Sequence, residues 1–189
     1  MTTSSEARFA GLYQDHFADV YGYCRRRTDP HRAEDAVADV FLTAWRRLPE
    51  VPEGRDALLW LYGVAFRVLA HQWRSLGRKR RLQEKLEAAG TEQQPVLEFV
   101  VVVRDEVRRV LDAVSRLNPA DREVLLLAVW EELPQVEIAQ VLGLSQVAVR
   151  QRLHRARTRL TDEYERRHVG HQDSAVVNEG GGRWTRRST

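Results

Sequence analysis

The side chains whose types and spacing could do chemistry cluster in residues 146–160, QVAVRQRLHRARTRL. They are Arg150, Arg152, Arg155, Arg157 and Arg159, interleaved with Gln151 and His154 and free of any acid. Guanidinium groups pair with phosphate oxygens, while base edges are read by Gln on adenine, Arg on guanine and an apolar group on the thymine methyl. Val149, Leu153, Ala156 and Leu160 keep helical spacing and predict one buried stripe. At about 100° per residue the opposite face presents Val147, Gln151, His154 and Arg155, with the other arginines on the flanks. A helix of this kind suits a polyanion's groove. A merely solvated basic helix is the plainer alternative, and the turn chemistry upstream favours the groove.

The element that must aim it lies just before. Val136, Ile138, Ala139 and Leu142 form a short apolar-periodic run, preceded by Leu133 and Pro134 and followed by Gly143 and Ser145. Pro134 suits a first helical position, Gly143 can take the left-handed conformation that ends a helix, and Ser145 can cap the next one. The pattern predicts a helix-turn-helix.

A second basic stretch lies in the first half of the chain. From 67 to 81 the cations are Arg67, Arg74, Arg78, Lys79, Arg80 and Arg81, with no acid and with Trp60, Phe66 and Trp73 interleaved or just upstream. Aromatic faces beside cations stack unpaired bases while their backbone is neutralised. Taken singly, each aromatic also fits a place in the core. The helix carrying them, residues 57–76, follows a loop with Pro49, Pro52 and Gly54, takes Asp56 as cap, and packs through Leu58, Leu61, Val64, Ala65, Val68 and Leu69.

Two further helices complete this half. Over 6–27, Phe9, Leu12, Tyr13, Phe17, Val20, Tyr21 and Cys24 recur three or four apart, and Arg25, Arg26 and Arg27 mark the end near the negative pole of the dipole. Asp29 and Pro30 restart the chain as cap and first position of a helix burying Ala33, Val37, Val40, Phe41, Ala44 and Leu48. Its exposed acids, Glu34, Asp35 and Asp39, either complement the helix dipole or face a basic partner.

At 189 residues with 43% hydrophobic content the chain can hold two small cores, and its formal charge of +3 understates the local clustering of arginines. Cys24 is the only cysteine, which excludes an internal disulfide or a cysteine-based zinc cluster. No stretch approaches a membrane span and MTTSSEARF lacks the segments of a signal peptide, so a cytoplasmic protein without membrane insertion is expected. No phosphate loop, metal-ligand spacing or nucleophile motif stands out among six scattered histidines, so neither enzyme chemistry, a metal nor a cofactor is expected. After Arg81 a polar stretch with Gly90 and Pro95 reads as a linker, and the β-branched run from Phe99 to Val103 favours strand by propensity and is a candidate sticky surface if exposed. Val107, Val110, Leu111, Val114 and Leu117 resume helical spacing, and Asn118 with Pro119 opens another helix with Val124, Leu125 and Ala128 inward. From Gly170 the tail has a triple glycine and no periodicity, which predicts disorder.

This all-α arrangement resembles a sigma factor of the extracytoplasmic-function type. FAGLYQDHFADVYGYCRRR, AEDAVADVFLTAWRRL and WLYGVAFRVLAHQWRS are similar to the family's first conserved domain, and LNPADREVLLLAVWEELPQVEIAQVLGLSQVAVRQRLHRARTRL to its second. The resemblance implies two small helical domains joined by a flexible linker: a polymerase- and minus-10-binding domain at 1–81, a linker at 82–103, a minus-35-binding helix-turn-helix domain at 104–168 and a tail at 169–189. It implies that Glu34, Asp35 and Asp39 meet core RNA polymerase, and that Trp60, Phe66, Arg67, His71, Trp73 and Arg74 meet unpaired minus-10 DNA. Val147, Arg150, Gln151, Arg152, His154, Arg155, Arg157 and Arg159 are then the minus-35 set. The partners implied are core polymerase, promoter DNA and, as is usual for the family, an anti-sigma factor. Arg67 departs from the asparagine frequent at its place in the family. A helix-turn-helix regulator that binds DNA without joining polymerase is the alternative; no phosphoacceptor domain of alternating strands and helices supports it.

Overall fold

The computed structural model describes residues 4–86 and 105–176, and its elements there are helical. In chain order they are α1 (Ser4–Arg25), α2 (Pro30–Arg46), a 3-10 turn (Leu48–Glu50), α3 (Arg55–Leu86), α4 (Asp105–Ser115), α5 (Pro119–Val129), α6 (Gln135–Leu142) and α7 (Gln146–Val176).

Helices α1, α2 and α3 pack as one module. α2 starts where its chemistry dictates: the Asp29 carboxylate accepts from the Arg32 N–H at 3.0 Å, and Pro30 fills the first position, where a missing donor costs nothing. Its predicted face is buried as expected, with Ala36 added, while Glu34, Asp35 and Asp39 are exposed. Rings knit α1 to α2: Tyr13 and Phe41 centroids are 4.7 Å apart, and Phe9 meets Trp45 edge-on at 5.1 Å. Tyr13 and Phe17 are nonetheless more than a third exposed.

Helices α4 to α7 form the second module. Asn118 Oδ1 accepts from the Ala120 N–H at 3.0 Å, Gly143 sits at φ 64°, ψ 38°, and Ser145 Oγ accepts from the Ala148 N–H at 3.2 Å. All three caps are those expected from residue type. Val149, Leu153 and Ala156 of α7 are buried and Leu160 is half-buried.

Several expectations are corrected. Asp56 lies inside the first turn of α3, one residue after its start, so it complements the dipole rather than capping. α3 continues past 76 and 81 to Leu86, because Arg, Lys, Gln, Glu and Leu are good helix formers even without an apolar stripe. Pro134 is the cap of α6 rather than its first residue, with no side-chain hydrogen bond, and Val136 is 54% exposed while Val141 is buried. α7 runs through Gly170 to Val176. The rest of the expected linker and tail, with the Phe99 to Val103 run, lies outside the described residues.

The two modules pack against each other. α3 lies on α6, and the approach is close: a Cβ added at Gly63 would come within 3.2 Å of the Val141 carbonyl oxygen. The end of α1 meets α5 and the turn after it through Tyr23, Arg26, Arg27, Glu123 and Glu131. Among the described residues no helix is long and apolar enough to cross a membrane.

Candidate nucleic-acid interface

α7 presents the surface that its residue pattern predicts. Val147, Arg150, Gln151, His154, Arg155, Arg157 and Arg159 are exposed, Arg152 is half-buried, and the apolar stripe is turned to α4, α5 and α6. Val147, Gln151 and His154 occupy the crest, with Arg150 and Arg157 on one flank and Arg152, Arg155 and Arg159 on the other. The second flank is not free. Arg155 Nη2 is 3.2 Å from Asp121 Oδ1 and Arg159 Nη1 is 3.8 Å from Oδ2, so a carboxylate of α5 shares both guanidiniums. Sequence reading missed Asp121 because a first-turn acid looks like dipole complementation alone.

The α3 residues fall into two groups. Arg67, His71 and Arg74 are exposed, whereas Trp60, Phe66 and Trp73 are half-buried. Trp60 and Trp73 pack against the core, and the Arg47 guanidinium lies 5.8 Å from the Trp60 ring centroid. These two rings therefore serve the core as well as any ligand. Arg67 and His71 line a groove of about 340 Å³ between α2 and α3 whose other wall includes Asp39, Leu42 and Arg46. The predicted acidic and basic sets thus converge at Asp39, while Asp35 pairs with His31 at 3.5 Å nearer the start of α2.

The residues least visible in the sequence join the modules. Arg27 is buried; its Nε donates to both carboxylate oxygens of Glu123 at 3.0 Å, and its Nη1 donates to Glu131 at 2.8 Å and to the Tyr23 carbonyl at 3.0 Å. Its carbon lies 3.5 Å over the Tyr23 ring, whose hydroxyl donates to Glu123 at 2.8 Å. Burial opposes the charge on Arg27, but Glu123, Tyr23 and Glu131 outweigh it and hold its pKa above the ordinary guanidinium value. Burial raises the Tyr23 hydroxyl well above its usual range, and pushes the neighbouring Cys24 thiol up to about 12. Arg26 pairs with Glu131, and Arg55 Nη2 with Glu137 at 2.8 Å. The available signal was weak: three cations at the end of α1 and two acids, Glu123 and Glu131, about a hundred residues later.

Comparison with known proteins bears on both modules. Residues 12–79 match the family model described as Sigma-70 region 2, and residues 108–160 match that of Sigma-70, region 4. RNA polymerase sigma factor CnrH of Cupriavidus metallidurans is 34% identical over 139 residues, covering 68% of this chain and 71% of that protein. ECF RNA polymerase sigma factor SigL of Mycobacterium tuberculosis is 31% identical over 153 residues, covering 79% and 85%. The solved structure of CnrH in complex with the cytosolic domain of CnrY matches with a TM-score of 0.57 at 25% identity, over 82% of this chain and 85% of that one. The sigma factor RpoE in complex with the anti-sigma factor NepR, from Bartonella quintana, matches in fold with a TM-score of 0.64 at 18% identity, over 83% and 96%.

Proposed function

This chain belongs to the sigma-70 family as an extracytoplasmic-function sigma factor, and from that premise we propose how its residues divide the work. It is a promoter-recognising subunit of RNA polymerase whose partners are the core enzyme and promoter DNA. α7 reads the minus-35 duplex through Gln151, His154 and Val147 on its crest, while Arg150, Arg152, Arg157 and Arg159 hold phosphates and set register. Arg155 contributes charge from the flank, tempered by Asp121.

The α2/α3 groove does the second half. Asp39, with Glu34 and Asp35, meets the polymerase, and Arg67, His71 and Arg74 hold the unpaired minus-10 strand beside Trp60, Phe66 and Trp73. Unstacking a base costs a few kcal/mol, which contacts absent from closed duplex must offset. The chain supplies binding alone and the polymerase makes the bonds. The work lies where polymerase and chromosome lie, in the cytoplasm. An anti-sigma factor is a further partner on this reading, supported by the complex of CnrH with the cytosolic domain of CnrY.

One observation carries the assignment: a single chain joins a groove walled by Asp39, Arg67 and His71 to a helix-turn-helix with an exposed, arginine-flanked reading helix. The test is reconstitution with core polymerase and a library of promoter fragments. Transcripts that start at defined sites only when the chain is added support the reading. DNA binding without initiation would instead favour a regulator that does not join polymerase.

A further inference from the structure

The groove between α2 and α3 carries charges of both signs that do not neutralise each other. Residues a helical turn apart line each wall, with Asp39, Leu42 and Arg46 on α2 and Arg67, Val68 and His71 on α3. All four ionisable groups are exposed, and among the described residues none of their side chains makes an ion pair or a hydrogen bond. Their neighbours differ: Arg47 is taken up by Glu50 and lies over Trp60, and the Thr43 hydroxyl donates to the Asp39 carbonyl at 2.8 Å. Arg67 runs back along α3 over Gly63, its Nη1 3.6 Å from where a Cβ there would stand, and meets no carboxylate. Leu42 and Val68 give the groove apolar surface between the charges, and its volume of about 340 Å³ suits a small ligand.

The two facing charges define what would fit. A guanidinium fork offers two parallel donors and a carboxylate offers two acceptors. Guanine alone among the bases has two adjacent acceptors, O6 and N7, on one edge and two adjacent donors, N1–H and N2–H, on another. Adenine, cytosine and thymine match at most one of the two groups in this paired way. In a duplex the N1–H and N2–H of guanine are bonded to cytosine, so a carboxylate reaches both only when the base is unpaired. A groove with this pair of groups therefore reads the base and the opening of the strand in one contact.

We propose that the α2/α3 groove is a guanine site, in which Arg67 donates to O6 and N7, Asp39 accepts from N1–H and N2–H, and the ring lies over Leu42 and Val68. Arg46 and His71 flank it for the adjoining phosphates. The inference rests on the reading of α3 as the face for an unpaired strand and deepens it by naming the base. A free guanine nucleotide presents the same two edges, so the test separates the two sources.

The full chain, without polymerase, is titrated with short single-stranded oligonucleotides that differ only in one central base. Leaving polymerase out keeps the docking role of Asp39 from entering the measurement. Guanine should be held about tenfold tighter than each of the other three bases. Hypoxanthine lacks the N2 amino group and 7-deazaguanine lacks N7, and each should lose about tenfold on the native chain. Asp39→Asn should no longer distinguish hypoxanthine from guanine but still discriminate against 7-deazaguanine, and Arg67→Met should do the reverse. Both residues are exposed, so neither change touches the core, and a merely electrostatic role would produce no such crossover. Equal capture of all four bases overturns the proposal, as do analogues held as well as guanine or no capture of any oligonucleotide. Guanosine monophosphate should compete weakly, having no flanking phosphates; competition as strong as the guanine oligonucleotide would assign the site to a free nucleotide and overturn the strand as its source. Guanine selectivity in a chain that starts no transcript with core polymerase supports the site and counts against the sigma-factor reading.

Discussion

Arg155 of α7 is turned onto Asp121 of α5, with its Nη2 3.2 Å from Oδ1 and its Nε 3.5 Å from Oδ2. Asp121 is 4% exposed, and Arg159 approaches the same carboxylate. Removing this charge without changing its shape, as Asp121→Asn, should release both guanidiniums toward phosphate. The salt dependence of duplex binding should then steepen by up to about one unit of slope. The fold should lose only about 1 kcal/mol, since the arginine side chains are half exposed. Affinity against salt and a thermal melt measure the two effects, and an unchanged slope would mean that Asp121 does not hold these arginines back.

Gln151 and Arg150 should behave differently from each other. Gln151→Ala is expected to relax preference at one base pair by about 1 to 3 kcal/mol. Arg150→Ala should weaken all sequences evenly and reduce the salt slope by about one. Selection from randomised duplexes separates them: a shifted consensus for Arg150→Ala would reverse the assigned roles.

Much of the fold could be read from residue types because its determinants are local. Asp29, Asn118, Gly143 and Ser145 each act within three or four residues of their own position, and the stripes of α2 and α7 repeat every turn. The exposed basic face of α7 was legible for the same reason. What stayed hidden depends on partners far away in the chain. Tyr23 falls off the expected stripe of α1, and Arg27 looks like a cation placed for the dipole, until Glu123 is seen 96 residues on. Val136 has helical spacing but faces solvent, since α6 turns Ile138, Ala139 and Val141 inward instead. The extent of α3 and α7 was underestimated because charged helix formers carry propensity without periodicity.

Asp39 is exposed on α2, so its replacement leaves the core untouched. Asp39→Arg should abolish association with core polymerase while leaving the circular dichroism spectrum as it is. Retention of the polymerase on an affinity column by the variant would remove Asp39 from the docking face.

Gly63 sits in the interior of α3, where alanine gains about 1 kcal/mol of helix propensity. It also lies against the backbone oxygen of Val141, which has little room to give. Gly63→Ala should therefore preserve the helix but loosen the contact between modules. Small-angle X-ray scattering should show a larger radius of gyration, and an unchanged radius would show that the contact tolerates the methyl group.

Tyr23 should make the contact between the modules sensitive to alkali. Its pKa is raised in the fold, chiefly by burial, so the fold favours the protonated phenol. That contribution is whole below about pH 10, where a free tyrosine ionises, and is lost as pH rises through the raised value. Tyr62, stacked on it at 5.0 Å, is raised in the same direction by burial. The tyrosinate absorbance should rise in an ordinary phase and a late one, the late phase vanishing in denaturant and in Glu123→Gln being displaced toward lower pH. A single ordinary phase in the native chain would show that neither phenol is shielded.

Asp39 and Arg67 wall the same small cleft between α2 and α3. If polymerase and unpaired strand both seat there, as proposed, thermodynamic linkage makes any influence of one on the other mutual. By whatever factor a bound polymerase changes this chain's hold on an unpaired strand, the strand changes its hold on the polymerase by the same factor. On the proposed reading the two equilibria are coupled through this cleft, and a substitution there that changes the factor changes it equally for the strand and for the enzyme.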